Sequence, residues 1–133
     1  MSVVRWPLDD GRPLVQVIFT ALLSRQECSR RLLADTGAGS RVSRFELLVD
    51  EDDCLQCGHP AFQTVSLGGA YAGVFPLYAI RVGIPELQFD EYVYAVGVPT
   101  VPQGFDGIAG FRFLSRFTYG NLGDPDQFGL ETL

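Results

Sequence analysis

The sequence predicts an all-β domain with one short helix near its C-terminus. Two observations carry that prediction. Short runs rich in β-branched and aromatic residues are separated by glycine and proline. Only one segment, residues 111–117, spaces its apolar side chains as a helix does, with Phe113, Leu114 and Phe117 on one face. Length sets the scale: 133 residues suffice for one buried core and are too few for two lobes. The chain therefore reads as one domain over residues 1–133.

The elements follow in order. Residues 14–19 (Leu-Val-Gln-Val-Ile-Phe) form a strand, and the short run 31–34 forms a second. Asp35-Thr36-Gly37-Ala38-Gly39 stops that run with two glycines in five residues, the mark of a tight turn. Residues 43–49 fit another strand. Four consecutive acids at 50–53 repel one another and predict a solvated, mobile connection. Residues 62–67 alternate apolar and polar, pass through the glycine-rich stretch 68–73, and resume as a strand over 74–82. That is a hairpin with a flexible tip. A further strand covers 87–98, two prolines stiffen the loop 98–104, and 127–132 alternates as a terminal strand. Phe111, Phe113 and Phe117 are expected in the core.

Composition removes several classes of function. The chain is 47% hydrophobic and 20% charged, the balance of an ordinary folded domain. A net charge of −6 and the lack of any Lys/Arg cluster argue against nucleic acid, whose phosphates need a basic patch. The longest apolar stretch, 14–23, is broken by Gln16 and Thr20 and falls short of the ~20 residues of a membrane span. Residues 1–10 lack the apolar segment of a signal peptide, so a cytoplasmic protein is expected.

Three cysteines argue against a disulfide framework. Cys54 and Cys57 have Cys-x-x-Cys spacing, but His59 lies one residue too far for haem attachment. A zinc site recruiting His59 or Cys28 is one reading; a surface loop carrying two thiols is the other.

The chemistry concentrates at Asp35. An aspartate directly after the apolar Leu32-Leu33-Ala34 is costly unless backbone amides stabilise it, and the Thr-Gly-Ala-Gly turn supplies such amides. An Asx turn that caps only its own loop is the plain alternative. The pattern Leu-Leu-Ala-Asp-Thr-Gly-Ala at 32–38 resembles the active-site signature of the retropepsin-like aspartic proteases. Asp106-Gly107-Ile108-Ala109-Gly110, followed by Phe111-Arg112-Phe113-Leu114, is similar to that family's apolar pair, glycine and helix. Ala109 stands where the family usually carries a bulkier aliphatic residue. The glycine-rich hairpin lies where the family has its flap. The resemblance spans about residues 12–132, and the stretch 50–60 reads as an insertion.

That resemblance implies a closed β-barrel of the acid-protease type and an aspartic endopeptidase without metal or organic cofactor. Asp35 would be catalytic, with Thr36, Gly37 and Ala38 supporting the loop. Gly68, Gly69, Ala70 and Tyr71 would form the flap, and Ile108, Ala109 and Gly110 would lie beneath the site. Two carboxylates must flank one water in this chemistry, one as base and one as acid. The chain has one Asp-Thr-Gly, and Asp106-Gly107 reads as a turn, so the second Asp35 must come from a homodimer. The substrate would be an extended polypeptide. Phe128 and Leu130 in the tail are candidates for the dimer interface, with an intramolecular strand as the alternative. A catalytically silent dimerisation or peptide-binding module on the same fold is the alternative function.

Overall fold

In a computed structural model that describes residues 2–133, ten strands and two short α-helices follow one another along the chain. The strands are β1 (Val3–Pro7), β2 (Leu14–Thr20), β3 (Glu27–Ala34), β4 (Leu47–Asp50), β5 (Gly58–Leu67), β6 (Gly73–Ile84), β7 (Phe89–Val98), β8 (Gly107–Ala109), β9 (Phe117–Gly120) and β10 (Gln127–Thr132). The helices are α1 (Glu51–Cys57) and α2 (Phe111–Leu114). No helix among the described residues is long and apolar enough to cross a membrane.

Strands run in the order β2-β3-β8-β4-β7-β6, and β6 pairs back onto β2, which closes a six-stranded barrel. The all-β prediction and the barrel both hold. β5 hangs outside the ring, bonded to β6 alone, and β1-β10-β9 form a separate three-stranded sheet. Alternation in sequence explains the packing. On β2, Val15, Val17 and Phe19 are buried while Gln16 is exposed; on β7, Val93 and Ala95 are buried while Tyr92 and Tyr94 are exposed. A second apolar cluster of Phe45, Leu48, Leu77, Val96, Val98 and Ile108 lies where the β5–β6 hairpin meets the barrel.

Two parallel pairings position the site. β3 pairs with β8 from Leu32↔Gly107 to Ala34↔Ala109, and β4 pairs with β7 from Leu47↔Ala95. β8 and β4 run antiparallel between them. Gly107 is required here, because a Cβ would collide with the Leu48 carbonyl oxygen and stand 3.2 Å from Leu32 Cδ2. Gly107→Ala is expected to cost about 1–3 kcal/mol in urea denaturation, as overpacked sites do. A loss near zero would mean that β4 gives way freely.

Several expectations need correction. Residues 50–53 are no mobile connection: Asp50 caps α1, its Oδ1 accepting from the Asp52 amide at 2.9 Å, and Glu51, Asp52 and Asp53 occupy the first turn. The helix dipole favours acids there, and Arg30 binds Asp53 through two bonds of 2.8 and 2.9 Å. The chain thus has a second α-helix besides the one near the C-terminus. That helix is shorter than the segment 111–117. After Leu114 the chain turns, and Phe117 opens β9, whose pairing with β10 outweighs one further helical turn. Phe113 and Phe117 are nonetheless core, packed edge-on with Phe89 at centroid distances of 5.3–5.9 Å, whereas Phe111 is half-buried.

Asp106-Gly107 is not a turn. Asp106 bridges to Arg31, accepting its amide at Oδ2 and donating to its carbonyl, both at 2.8 Å, and Gly107 opens β8. The tail is an intramolecular strand: β10 lies between β1 and β9, with Phe128 and Leu130 buried. β1 lies outside the strands expected from the sequence, although Val4 and Trp6 are buried and Val3, Arg5 and Pro7 exposed in the alternation that marks a strand.

Candidate active site

β3 delivers Asp35 to the end of the barrel. Its apolar run ends at Ala34, and the Asp35 amide donates to the Ala109 carbonyl at 3.0 Å, the last bond of the β3–β8 pairing. Asp35 as a residue is half-buried. Gly37 donates its amide to Asp35 Oδ1 at 2.9 Å, so one amide of the turn reaches the acid, while Ala38 donates to the Asp35 backbone carbonyl at 3.2 Å and closes the loop. Thr36 is exposed, and no hydrogen bond among the described residues engages its side chain.

The loop after Asp35 is clamped by the segment that follows β8. Gly110 donates to the Glu46 carbonyl at 2.8 Å and Phe111 to the Ala38 carbonyl at 2.9 Å. A Cβ on Gly110 would lie 2.7 Å from the Ala38 oxygen, so only glycine fits between the two loops. Arg112 reaches the Ser43 carbonyl at 2.7 Å. Arg116 binds both oxygens of Glu46 at 2.5 and 3.0 Å and touches Glu91 at 3.1 Å. Glu46 is 1% exposed, and its carboxylate strengthens the hold of the Arg116 guanidinium on its proton.

The β5–β6 hairpin supplies a roof. Its strands pair from Gly58↔Ile80 to Leu67↔Gly73, with a bulge between Pro60 and Thr64, and a 3-10 turn, Gly69–Tyr71, makes the tip. The tip and the Asp35 loop enclose a cleft of about 510 Å³. Asp35, Gly37, Ala38 and Ile108 line its floor side, and Gly68, Gly69, Ala70 and Tyr71 its roof side. The Tyr71 phenol is pushed above its usual range, first by burial and then by the Asp35 carboxylate. Apart from these two groups the lining is small, hydroxylic or apolar.

The residues expected at the site thus come together, with two distinctions. Thr36 stands outside the cleft, and Ala109 and Gly110 act from beneath through backbone bonds. Sequence reasoning missed Ser43, Phe45, Leu48, Ser66 and Leu67 in the lining, and the Glu46–Arg116 clamp. The clamp had a readable signal. Glu46 sits in the otherwise apolar run Phe45 to Val49, and a buried carboxylate demands a partner.

The cysteines form neither a surface loop nor a shared site with His59. Cys54 and Cys57 lie on the buried face of α1, while His59 is exposed on β5 with its ring 5.9 Å from that of Tyr92. No group of three or more metal-ligating side chains occurs among the described residues. Burial pushes the Cys54 thiol up to about 12 and raises that of Cys57, with nearby acids adding to it. Native protein titrated with a disulfide reagent near pH 8 is therefore expected to react at the half-exposed Cys28 alone, and at all three thiols once denatured. Fast reaction of all three in the native state would contradict the packing of α1. No protein-family model, no curated protein and no solved structure matches the chain.

Proposed function

We propose that the chain is an aspartic endopeptidase that hydrolyses extended polypeptides as a homodimer, without metal or organic cofactor. The observation that carries the reading is a single carboxylate, Asp35, held by the Gly37 amide on the floor of a cleft roofed by a glycine-rich hairpin. A second Asp35 from a twofold-related copy completes the chemistry. In aspartic proteases two carboxyls about 3 Å apart share one proton, because both cannot ionise at that distance. The ionised member takes a proton from a bound water as it attacks the scissile carbonyl; the protonated member donates to the carbonyl oxygen. A proton then passes to the leaving amine.

The remaining residues have roles that follow from their positions. The Gly37 amide holds the carboxylate orientation, and Ala38 leaves the cleft open where a longer side chain would fill it. Thr36, free in the single chain, bonds across the twofold. The tip at residues 68–71 closes on the peptide, adds backbone hydrogen bonds and excludes water. Incubation of the purified protein with denatured casein between about pH 4 and 7 tests the reading, with a statine-type analogue of the tetrahedral intermediate as inhibitor. Cleavage blocked by the analogue is expected. A well-formed dimer that cuts nothing over this range would instead assign the fold to a silent binding module.

A further inference from the structure

We infer that the cleft selects extended polypeptide carrying an acidic side chain a few residues from the bond at Asp35, and that Arg44 is the residue that binds this acid. The inference rests on the proposed endopeptidase reading in one respect: the cleft must take an extended peptide. It does not need the peptide to be cut.

An open groove of about 650 Å³ lies further along the β5–β6 hairpin, with Arg44, Phe62, Gln63 and Thr64 in its lining. Its walls adjoin those of the cleft: Ser43 and Phe45 flank Arg44 on one side, and Ser66 stands two residues beyond Thr64 on the other. The Arg44 guanidinium reaches Gln63 Oε1 at 3.4 Å, so loop and hairpin face one another there. From Ser66 to Gln63 is ~10 Å of strand, so a peptide leaving the cleft along β5 meets Arg44 within a few of its own residues. β5 is hydrogen-bonded to β6 alone, which leaves its outer edge open to such a strand. Phe62, at the bulge between Pro60 and Thr64, has a φ of +56° and is 94% exposed. A bulky residue rarely keeps a left-handed backbone, and here it leaves an aromatic side chain in solvent at the rim of the groove.

The charge of this region runs against that of the chain. Residues 36–45 and 54–85 supply the lining of cleft and groove apart from Asp35, Leu48 and Ile108, and neither segment contains an acid. Glu46, next along, is buried and held by Arg116. Arg41 and Arg44 are exposed, and Arg112 donates to the Ser43 carbonyl at 2.7 Å. Among the described residues none of these three arginines forms an ion pair, whereas Arg30, Arg31, Arg81 and Arg116 all do. A carboxylate entering the groove therefore meets uncompensated guanidinium charge, while a lysine would find only Asp35. The net charge of −6 repels an acidic peptide from afar, but salt screens that repulsion beyond ~8 Å, and a contact pair at Arg44 lies within this length.

The test presents the full chain with fluorogenic peptides that share an apolar pair at the scissile bond and carry one Glu, Gln or Lys, moved position by position. Each copy of the proposed homodimer brings an Arg44, so one favoured position is expected on each side of the bond. There the Glu peptide is cut with a kcat/KM about fivefold above its Gln counterpart, the upper end for an ion pair at a surface. It exceeds the Lys peptide at least about tenfold, and the difference lies in KM. Arg44→Gln removes the preference and Arg44→Glu turns it toward Lys. Arg25→Gln, at the opposite end of β3 from Asp35, leaves it unchanged. Salt near 1 M, where the screening length is ~3 Å, brings the preference close to one. Fluorescence anisotropy of the same peptides, labelled at one end, repeats the comparison as binding. Cleavage with no position that favours Glu overturns this inference and leaves the protease reading standing, as does a preference that survives Arg44→Gln. Glu-selective binding through Arg44 without cleavage upholds this inference and overturns the protease reading. A chain that neither binds nor cuts any of the peptides overturns both.

Discussion

On the proposed protease reading, replacing Asp35 by Asn is expected to remove peptide hydrolysis, by about 10⁴-fold or more, and to leave the fold in place. The size follows from symmetry. In the proposed homodimer one substitution appears in both copies, so the base that would activate water and the acid that would protonate the carbonyl are lost together. An amide can do neither job. The turn survives, because the Asn side-chain oxygen still accepts from the Gly37 amide where Asp35 Oδ1 now does at 2.9 Å. Thermal unfolding should therefore shift little, within the ~0.5 kcal/mol typical of changes away from packed sites. The pair of measurements separates chemistry from folding. A variant that unfolds early says nothing about catalysis, whereas a stable variant that still cuts would end the assignment.

Arg116→Ala is expected to be the most damaging single change to stability among those the structure suggests. It strips both hydrogen bonds from a carboxylate that is almost fully buried, and an unpaired buried charge costs about 3–5 kcal/mol. Glu46 is also where the loop beyond Asp35 is tied to the segment after β8, because its carbonyl accepts from Gly110. The loss should reach the cleft as well as the core. Urea denaturation measures the first, and binding of a statine-type inhibitor the second. The double variant Glu46→Leu, Arg116→Leu recovers much of the loss, since an apolar pair of similar volume has no charge to desolvate. A single-variant loss below about 1 kcal/mol would mean that water reaches Glu46 and the clamp is not dry.

The tyrosine over the cleft shows where sequence reading stops. A glycine-rich hairpin tip was legible at residues 68–73 from composition alone. That Tyr71 lies close enough for the Asp35 carboxylate to act on its phenol depends on the β5–β6 register, its bulge, and the point where β6 closes the barrel onto β2. None of these is a local property. The acidic run at 50–53 failed in the opposite way. Read locally, four like charges repel and keep a segment open. In the folded chain Asp50 caps the helix, its dipole meets the next three acids, and Arg30, distant in sequence, binds Asp53. Cys54 and Cys57, three apart, then share the buried face of that helix, which is why neither is a surface thiol.

By itself the sequence determined the strands that alternate, such as Leu14 to Phe19, the turn chemistry at Asp35 to Gly39, and the expectation of a β-rich domain with a helix near its end. These depend on side-chain period and on the backbone freedom of glycine, which act over a few residues. Only the tertiary structure decided which strands meet. It set Ala34 beside Ala109, put Glu46 against Arg116, folded the hairpin over Asp35, and enclosed β10 between β1 and β9. Apart from β9 with β10, such pairings join residues tens of positions apart. Their energy is gained only when the barrel closes, and no local pattern along the chain records which partner each edge will find.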